Sequence, residues 1–114
     1  MRTDNHISRV RIDEGKMSLI FEYDLISYIY YNKHFTSCNF TNGKEIHIQT
    51  PFTTLIDLFQ RDQFVLVNHT IIINVNEIKS IIKQDEKSKI IMKNQKTLLV
   101  GMERKTLLSY FQIL

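Results

Sequence analysis

The sequence predicts a mostly β fold of stacked antiparallel sheets, with one short internal helix and one short C-terminal helix. Runs of four to seven residues that alternate in polarity, or that are rich in isoleucine, valine and tyrosine, recur along most of the chain, and such runs are typical of strands. Apolar residues recur at helical spacing in only two places, one just after Pro51 and one close to the C-terminus. The pattern therefore predicts little helix.

The first third of the chain is predicted to form strands joined by turns. Arg9–Ile12 alternates polar and apolar residues, and the turn residues Asp13–Lys16 lead into a second strand at Met17–Glu22. Leu25–Tyr31 is rich in isoleucine and tyrosine, which suit a pleated sheet. We expect the next strand at His34–Thr41.

A hairpin and the internal helix follow. Asn42-Gly43 stands between two alternating runs, which predicts a type I′ turn because both residues tolerate the positive φ that this turn needs. Lys44–Gln49 is the expected return strand. Beyond Pro51, a cap at Thr53 or Thr54 is predicted to open a short helix. Its apolar stripe is formed by residues at i, i+3 and i+4, which are Leu55, Leu58 and Phe59.

No internal repeat is apparent in the sequence. The second half is predicted to form further strands joined by turns and to end in a helix. The expected strands are Phe64–Val67, Ile71–Val75, Ile78–Lys83, Lys89–Lys93 and Lys96–Val100, with turns around Asp85-Glu86 and Asn94-Gln95. An amphipathic helix is predicted from about Arg104, because apolar residues then recur at helical spacing, at Leu107, Leu108, Phe111 and Leu114. Gly101 precedes it, where a bend of the backbone is easiest.

Length, cysteine content and charge bound the kind of protein. With 114 residues we expect a single domain over residues 8–114 after a flexible segment at residues 1–7. Cys38 is the single cysteine and is predicted to be a packing residue, so the chain has no internal disulfide, which favours a reducing, cytoplasmic location. No apolar run is long enough to span a membrane. The net charge is +3, and the positive excess lies after residue 61, which is compatible with a polyanionic partner.

Three polar stretches between regular elements are the candidate binding residues. Their side chains can reach phosphates or hydrogen-bond base edges, and the residues are Asn32, Lys33, His34, Asn68, His69, Thr70, Arg104 and Lys105. None of the three stretches has the residue pattern of a tight turn required by the backbone alone. Two interpretations without a binding function stay open. In the first, all three stretches are solvent-exposed connecting loops; in the second, His69 is a buried, hydrogen-bonded histidine.

The sequence gives no sign of a metal site, a cofactor or a catalytic centre. The four histidines are not paired at i and i+4, and no cysteine or carboxylate cluster lies beside them. A glycine-rich phosphate loop, a nucleophile elbow and paired carboxylates are also missing from the sequence. We therefore expect no bound metal or cofactor and no enzymatic activity.

From Asp24 to Leu114 the sequence resembles the LytTR family of bacterial DNA-binding domains. The isoleucine-rich strand at the start of that family is matched by Asp24–Tyr30, and its threonine-serine-leucine helix start by Thr53–Leu55. Its most specific segment is matched by Phe64–Asn74 followed by Ile78, with Asn68-His69-Thr70 where the family has His-Arg-Ser. Val100-Gly101-Met102 stands where the family closes with Val-Ser-Arg, so the first arginine here is Arg104.

This resemblance implies a function as well as a fold. It implies sequence-specific binding of double-stranded promoter DNA, with loops in successive major grooves and a bent duplex. It also implies a phospho-receiver domain or another regulatory protein as partner, as in two-component systems, and repeated DNA sites. Two alternatives remain open from the residues. One is a protein-interaction module of the same fold that has lost its DNA contacts, and the other is a small enzyme with an unrecognised pocket.

Overall fold

The computed structural model describes residues 8–113 and contains three antiparallel sheets and two short helices. In chain order these are β1 Arg9–Glu14, β2 Met17–Glu22, β3 Ile26–Tyr31, β4 Thr36–Phe40, β5 Glu45–Ile48, α1 Phe52–Leu58, β6 Phe64–Val67, β7 Ile71–Asn74, β8 Ile78–Gln84, β9 Lys87–Met92, β10 Thr97–Val100 and α2 Arg104–Tyr110. The predicted fold class is confirmed. The flexible segment predicted at residues 1–7, and the predicted helical position of Leu114, lie outside the described residues. Within residues 8–113, no helix is long and apolar enough to cross a membrane.

The middle sheet joins the two halves of the chain. Its strand order is β5-β4-β3-β7-β6, so β3 from the first half pairs with β7 from the second. The sheet β1-β2 and the sheet β10-β9-β8 are each built from one half only. The middle sheet therefore fixes how the turns of the two halves lie relative to one another.

Two apolar cores lie on the two faces of the middle sheet. The first core joins β1, β2 and α1 to one face and includes Ile12, Ile29 and Leu55, which are fully buried. The second joins β8–β10 and α2 to the other face and includes Ile73 and Ile90. Each such side chain contributes roughly 1.5–3 kcal/mol on burial. Because β7 is covered on both faces, all four of its residues, Ile71–Asn74, are buried.

The two halves of the chain repeat the same order of elements at a spacing of 52 residues. The helix Phe52–Leu58 is repeated by Arg104–Tyr110, and the strand Glu45–Ile48 by Thr97–Val100. A short 3₁₀ turn precedes β3 at Tyr23–Leu25, and its counterpart precedes β8 at Val75–Glu77. The irregularity in register between Ile26 and Tyr28 also recurs, between Ile78 and Ser80.

Hydrogen bonds recur at the same spacing. In the hairpin between β4 and β5, Phe40 N donates to Lys44 O at 2.9 Å; in the hairpin between β9 and β10, Met92 N donates to Lys96 O at 2.8 Å. In each hairpin an asparagine side chain accepts a hydrogen bond from the lysine amide, Asn42 in the first and Asn94 in the second. The repeat is not apparent in the sequence because few of the paired positions hold the same residue.

Several predicted boundaries and turn types were wrong. Neither Thr53 nor Thr54 caps α1, because Pro51 is the capping residue and both threonines lie inside the helix. The Asn42-Gly43 turn is not type I′, since only Gly43 has positive φ, at 87°. Leu25 belongs to the 3₁₀ turn and not to β3, and β4 begins at Thr36 and not at His34. Proline suits a helix start because its fixed φ is already helical and it has no amide hydrogen to satisfy.

Cys38 is fully buried in the first core, which confirms the prediction that it is a packing residue. Burial raises the pKa of the Cys38 thiol to about 12. The sulfur is therefore protonated and unreactive near neutral pH, because the thiolate is the nucleophilic form.

Glu14 fastens the β1–β2 hairpin to the loop between β5 and α1. Its carboxylate accepts hydrogen bonds from Gln49 N at 2.9 Å, from Thr50 N at 2.7 Å and from Thr50 Oγ1 at 2.5 Å. Burial alone would raise the pKa of Glu14, but these hydrogen bonds outweigh burial and hold the pKa below its usual value. The ionised form is therefore the one that the folded protein favours.

We expect Glu14→Ala to lower the free energy of unfolding at neutral pH by about 1 kcal/mol, since it removes charge-assisted hydrogen bonds at a half-exposed site. Because the folded-state pKa is lowered, this stabilisation is present above the usual carboxyl pKa and is lost as pH falls through the folded-state value. Urea unfolding of the wild type and the variant at about pH 7 and about pH 3 measures both effects. A stability difference that is as large in acid as at neutral pH would contradict this role of the carboxylate.

Candidate nucleic-acid interface

The loop between β3 and β4 presents Lys33 and His34 to solvent. Asn32 Oδ1 accepts hydrogen bonds from His34 N at 2.7 Å and from Phe35 N at 3.0 Å, and Asn32 N donates to Phe35 O at 3.0 Å. This side chain therefore shapes the loop, as asparagine often does in turns. Lys33 and His34 are exposed, whereas Asn32 is half-buried.

The turn between β6 and β7 is a tight turn in the left-handed region. Asn68 has φ of 52° and His69 φ of 58°, and Thr70 N donates to Val67 O at 3.2 Å. Asparagine and histidine are among the few residues other than glycine that adopt this conformation readily. The prediction that residues 68–70 do not form a tight turn was therefore wrong. His69 is exposed, so the buried-histidine alternative was wrong as well.

The middle sheet brings these two turns to the same end. Tyr30 of β3 pairs with Ile71 of β7, and Tyr31 N donates to Thr70 O at 2.8 Å just beyond the last pair. We call the surface formed by Asn32–Phe35 and Asn68–Thr70 the loop edge. Six of the eight sequence-predicted residues lie in it, and a rigid sheet fixes their relative positions.

Two aromatic stacks lie beside the loop edge and were missed by the sequence analysis. The ring of Phe35 stacks on His47 with centroids 4.2 Å apart, and Tyr31 stacks on Phe52 with centroids 5.4 Å apart. Tyr31 and Phe35 are each about two-fifths exposed, at 40% and 38%. The available signal was that aromatic residues flank the polar stretch 32–34 on both sides. The stacks hold the base of the loop against β5 and α1.

Arg104 and Lys105 lie on a different element from the loop edge. They are the first two residues of α2, and both are exposed. Arg104 lines a groove between α2 and β8 together with Val75, Ile78 and Ile81. The structure thus groups the eight predicted residues into two sets, six on the loop edge and two at the start of α2.

The internal repeat shows that the positive charge of the loop edge is specific to the first half. The counterpart of Lys33-His34 in the second half is the turn Asp85-Glu86, which joins β8 to β9 and is exposed. Two acidic side chains at that turn repel a phosphate, whereas Lys33 attracts one. The two repeats therefore share a backbone but differ in the partner that each turn suits.

A β scaffold that holds cationic, amide and imidazole side chains on short turns defines a class of domain suited to nucleic acid. The model of the LytTr DNA-binding domain family matches residues 15–111, and the chain therefore belongs to this family. A solved LytTr DNA-binding domain of a methyl-accepting/DNA response regulator from Bacillus cereus has the same fold, with a TM-score of 0.68 at 20% identity over 92% of this chain and 94% of that one. No curated protein matches the chain.

Membership confirms the resemblance inferred from the sequence. LytTR domains are DNA-binding domains of response-regulator-type transcription factors and are not a catalytic family. The departures noted in the sequence are visible in the structure. The residues Asn68-His69-Thr70 keep a polar turn, and Gly101-Met102 leads into α2 without a basic side chain before Arg104.

Proposed function

We propose that the chain binds double-stranded promoter DNA in a sequence-specific manner and serves a bacterial transcription regulator. The observation that carries the proposal is the loop edge, where Lys33, His34, Asn68 and His69 are presented by two turns that β3 and β7 hold side by side. Lysine supplies phosphate contacts, and asparagine and histidine supply hydrogen bonds to base edges.

In this proposal the loop edge and the start of α2 enter successive major grooves. Loops read the grooves because the fold offers no long exposed helix among the described residues, where both helices have seven residues. Contacts at two separate places on one rigid domain favour a bent duplex, since bending brings both grooves against the protein. Arg104 is the proposed base reader of the second set, and Lys105 the proposed phosphate contact.

The regulator that this domain serves works, by this proposal, in the cytoplasm, where promoter DNA is found. A phospho-receiver domain or a separate regulatory protein controls it, and its DNA sites are repeated. Family membership supports this setting, because LytTR domains occur in response regulators.

The direct test is selection of bound sequences from a random duplex pool with the full chain. We expect enrichment of a defined motif. Recovery of unselected sequences, or no recovery at all, would contradict sequence-specific binding and would favour a protein-interaction module that has kept the fold alone.

Replacing Arg104 and Lys105 separately distinguishes base reading from phosphate contact. We expect Arg104→Ala to relax preference at one position of the selected motif by at least about 1 kcal/mol while leaving non-specific binding nearly unchanged. Lys105→Ala should weaken motif and random duplexes equally and reduce the salt slope by about one unit. Fluorescence anisotropy with motif and scrambled duplexes measures both. Equal losses on the two duplexes for Arg104→Ala would show that the arginine only positions the protein.

A further inference from the structure

In the described part of the chain, two strands, β2 and β8, each have an edge that is unpaired, although the corresponding edge in the other half of the repeat is paired. In the middle sheet, β7 covers the edge of β3, with Ile29 opposite Ile72. At a spacing of 52 residues the counterpart of β3 is β8, and the counterpart of β7 is β2. Within the described residues, β8 pairs only with β9 and β2 pairs only with β1. The chain therefore contains the two strands, β2 and β8, that correspond to the paired strands β7 and β3, but these two do not pair with each other.

We propose that β2 of one copy of this chain pairs with β8 of a second copy, antiparallel and in the register of β3 and β7. Moving the pair Ile29 and Ile72 by one repeat places Ile81 of one copy opposite Ile20 of the other. The neighbouring pair, Tyr30 and Ile71, becomes Ile82 opposite Leu19.

Both of these edges carry exposed apolar side chains. Ile20 is 53% exposed and Ile82 is 45% exposed, although strand residues of this kind are usually covered. Ile72, the counterpart of Ile20, is only 2% exposed in the first core. A second copy would bury Ile20 as the internal pairing buries Ile72, and it would place Ile82 opposite Leu19, as Tyr30 lies opposite Ile71.

In the proposed pairing, Ile20 of the second copy lies in an apolar groove beside β8. It lies between β8 and α2 and is lined by Val75, Ile78, Ile81, Leu108 and Ile113, together with Lys79, Ser80 and Arg104. The counterpart groove between β3 and α1 belongs to the first core, which contains Ile72. The fold itself thus shows which kind of element covers this groove, a β hairpin that adds to the open strand.

Charge favours this partner over an unrelated strand. Lysines on an edge strand normally discourage pairing, and β8 carries Lys79 and Lys83. In the proposed register Lys79 comes next to Glu22 of the other copy. Lys83 comes next to Ser18, whose hydroxyl donates at 2.7 Å to the carboxylate of Asp13, which also pairs with Arg11. Opposite charges across strands stabilise a pair where like charges destabilise it.

The contact joins two different surfaces, so each dimer leaves one β2 and one β8 free. Such a head-to-tail interface propagates into a chain of copies or closes into a ring, unlike a two-fold symmetric dimer. It needs no DNA, so its failure and the failure of DNA binding can be told apart.

Cross-linking tests the register directly. We expect Ile20→Cys and Ile81→Cys proteins, mixed and mildly oxidised without DNA, to form a covalent heterodimer, because opposed strand residues lie within disulfide reach. The matched control mixes Ile20→Cys with Leu99→Cys, an exposed residue on β10 at the far edge of the same sheet. The native Cys38 is buried and does not interfere. Absence of the cross-link, or an equal yield in the control, would overturn the proposal.

Complementation in solution tests the head-to-tail geometry. We expect the wild-type chain to associate with rising concentration in sedimentation experiments, and Ile20→Lys and Ile82→Lys each to weaken that association roughly tenfold or more. Mixing the two variants should restore one heterodimer, because each retains the edge that the other has lost. A wild-type chain that stays monomeric, or a mixture that behaves as its separate components, would show that the edges do not pair.

Discussion

Raising the salt concentration should lower the affinity of the chain for duplex DNA steeply. Each phosphate that a lysine or arginine neutralises releases counterions, and we expect roughly three to six such contacts for a domain of this size, which gives a log–log slope of about −3 to −5. Between about 50 and 200 mM salt the affinity should fall roughly fifty- to a thousandfold. Anisotropy titrations of a labelled duplex at several salt concentrations measure the slope.

A matched pair of lysine variants locates the contacts that produce this slope. Lys33 is exposed on the loop edge, whereas Lys44 is exposed in the turn at the opposite end of β4 and β5. We expect Lys33→Ala to reduce the slope by about one unit and Lys44→Ala to leave it unchanged. A flat salt response of the wild type, or equal effects of the two variants, would contradict placement of DNA on the loop edge.

Local patterns in the sequence predicted most of the strands correctly, because their residues alternate or are β-branched and their turns carry polar residues. The helix α2 was also predicted to begin at Arg104, where the structure places it. The turn at Asn42-Gly43 was predicted with the wrong geometry. Its hairpin closes with Phe40 N donating to Lys44 O, which makes the loop longer than two residues and leaves only Gly43 in the left-handed region.

The grouping of the candidate residues could not be predicted from local patterns. Asn32–His34 and Asn68–Thr70 are neighbours only because β3 pairs with β7, and that pairing joins strands about 40 residues apart in the chain. The aromatic stack of Tyr31 on Phe52 depends on the same kind of distant contact. The residue types of the candidate site could be predicted from the sequence, whereas their arrangement in space depends on the pairing of strands in the middle sheet.

The internal repeat was hidden for a related reason. Its two copies keep the apolar positions that face the cores, such as Leu55 and Leu107, but differ at exposed positions, where Lys33-His34 becomes Asp85-Glu86. Core packing constrains volume and polarity but tolerates changes of residue. The repeated backbone is therefore preserved while the surface of each half is free to serve a different purpose.

Removal of the His69 imidazole should weaken specific DNA binding by about 1–3 kcal/mol, if this side chain reads a base edge as proposed. The substitution that tests this cleanly is His69→Gly, because glycine adopts the φ of 58° found at this position without strain. We expect thermal unfolding of His69→Gly to stay close to that of the wild type, since the side chain is exposed.

His69→Ala separates the turn from the side chain. Alanine also lacks the imidazole, but it disfavours the left-handed region by about 1–2 kcal/mol, so it should lower stability as well as affinity, whereas His69→Gly should lower affinity alone. His69→Asn keeps both the turn and a hydrogen-bonding group, and should retain binding but alter the preferred base. Anisotropy with motif and scrambled duplexes, combined with urea unfolding, gives the two quantities for each variant. Wild-type affinity of His69→Gly for the motif would show that His69 shapes the turn and makes no base contact, and the reading of DNA would then rest on His34, Asn68 and Arg104.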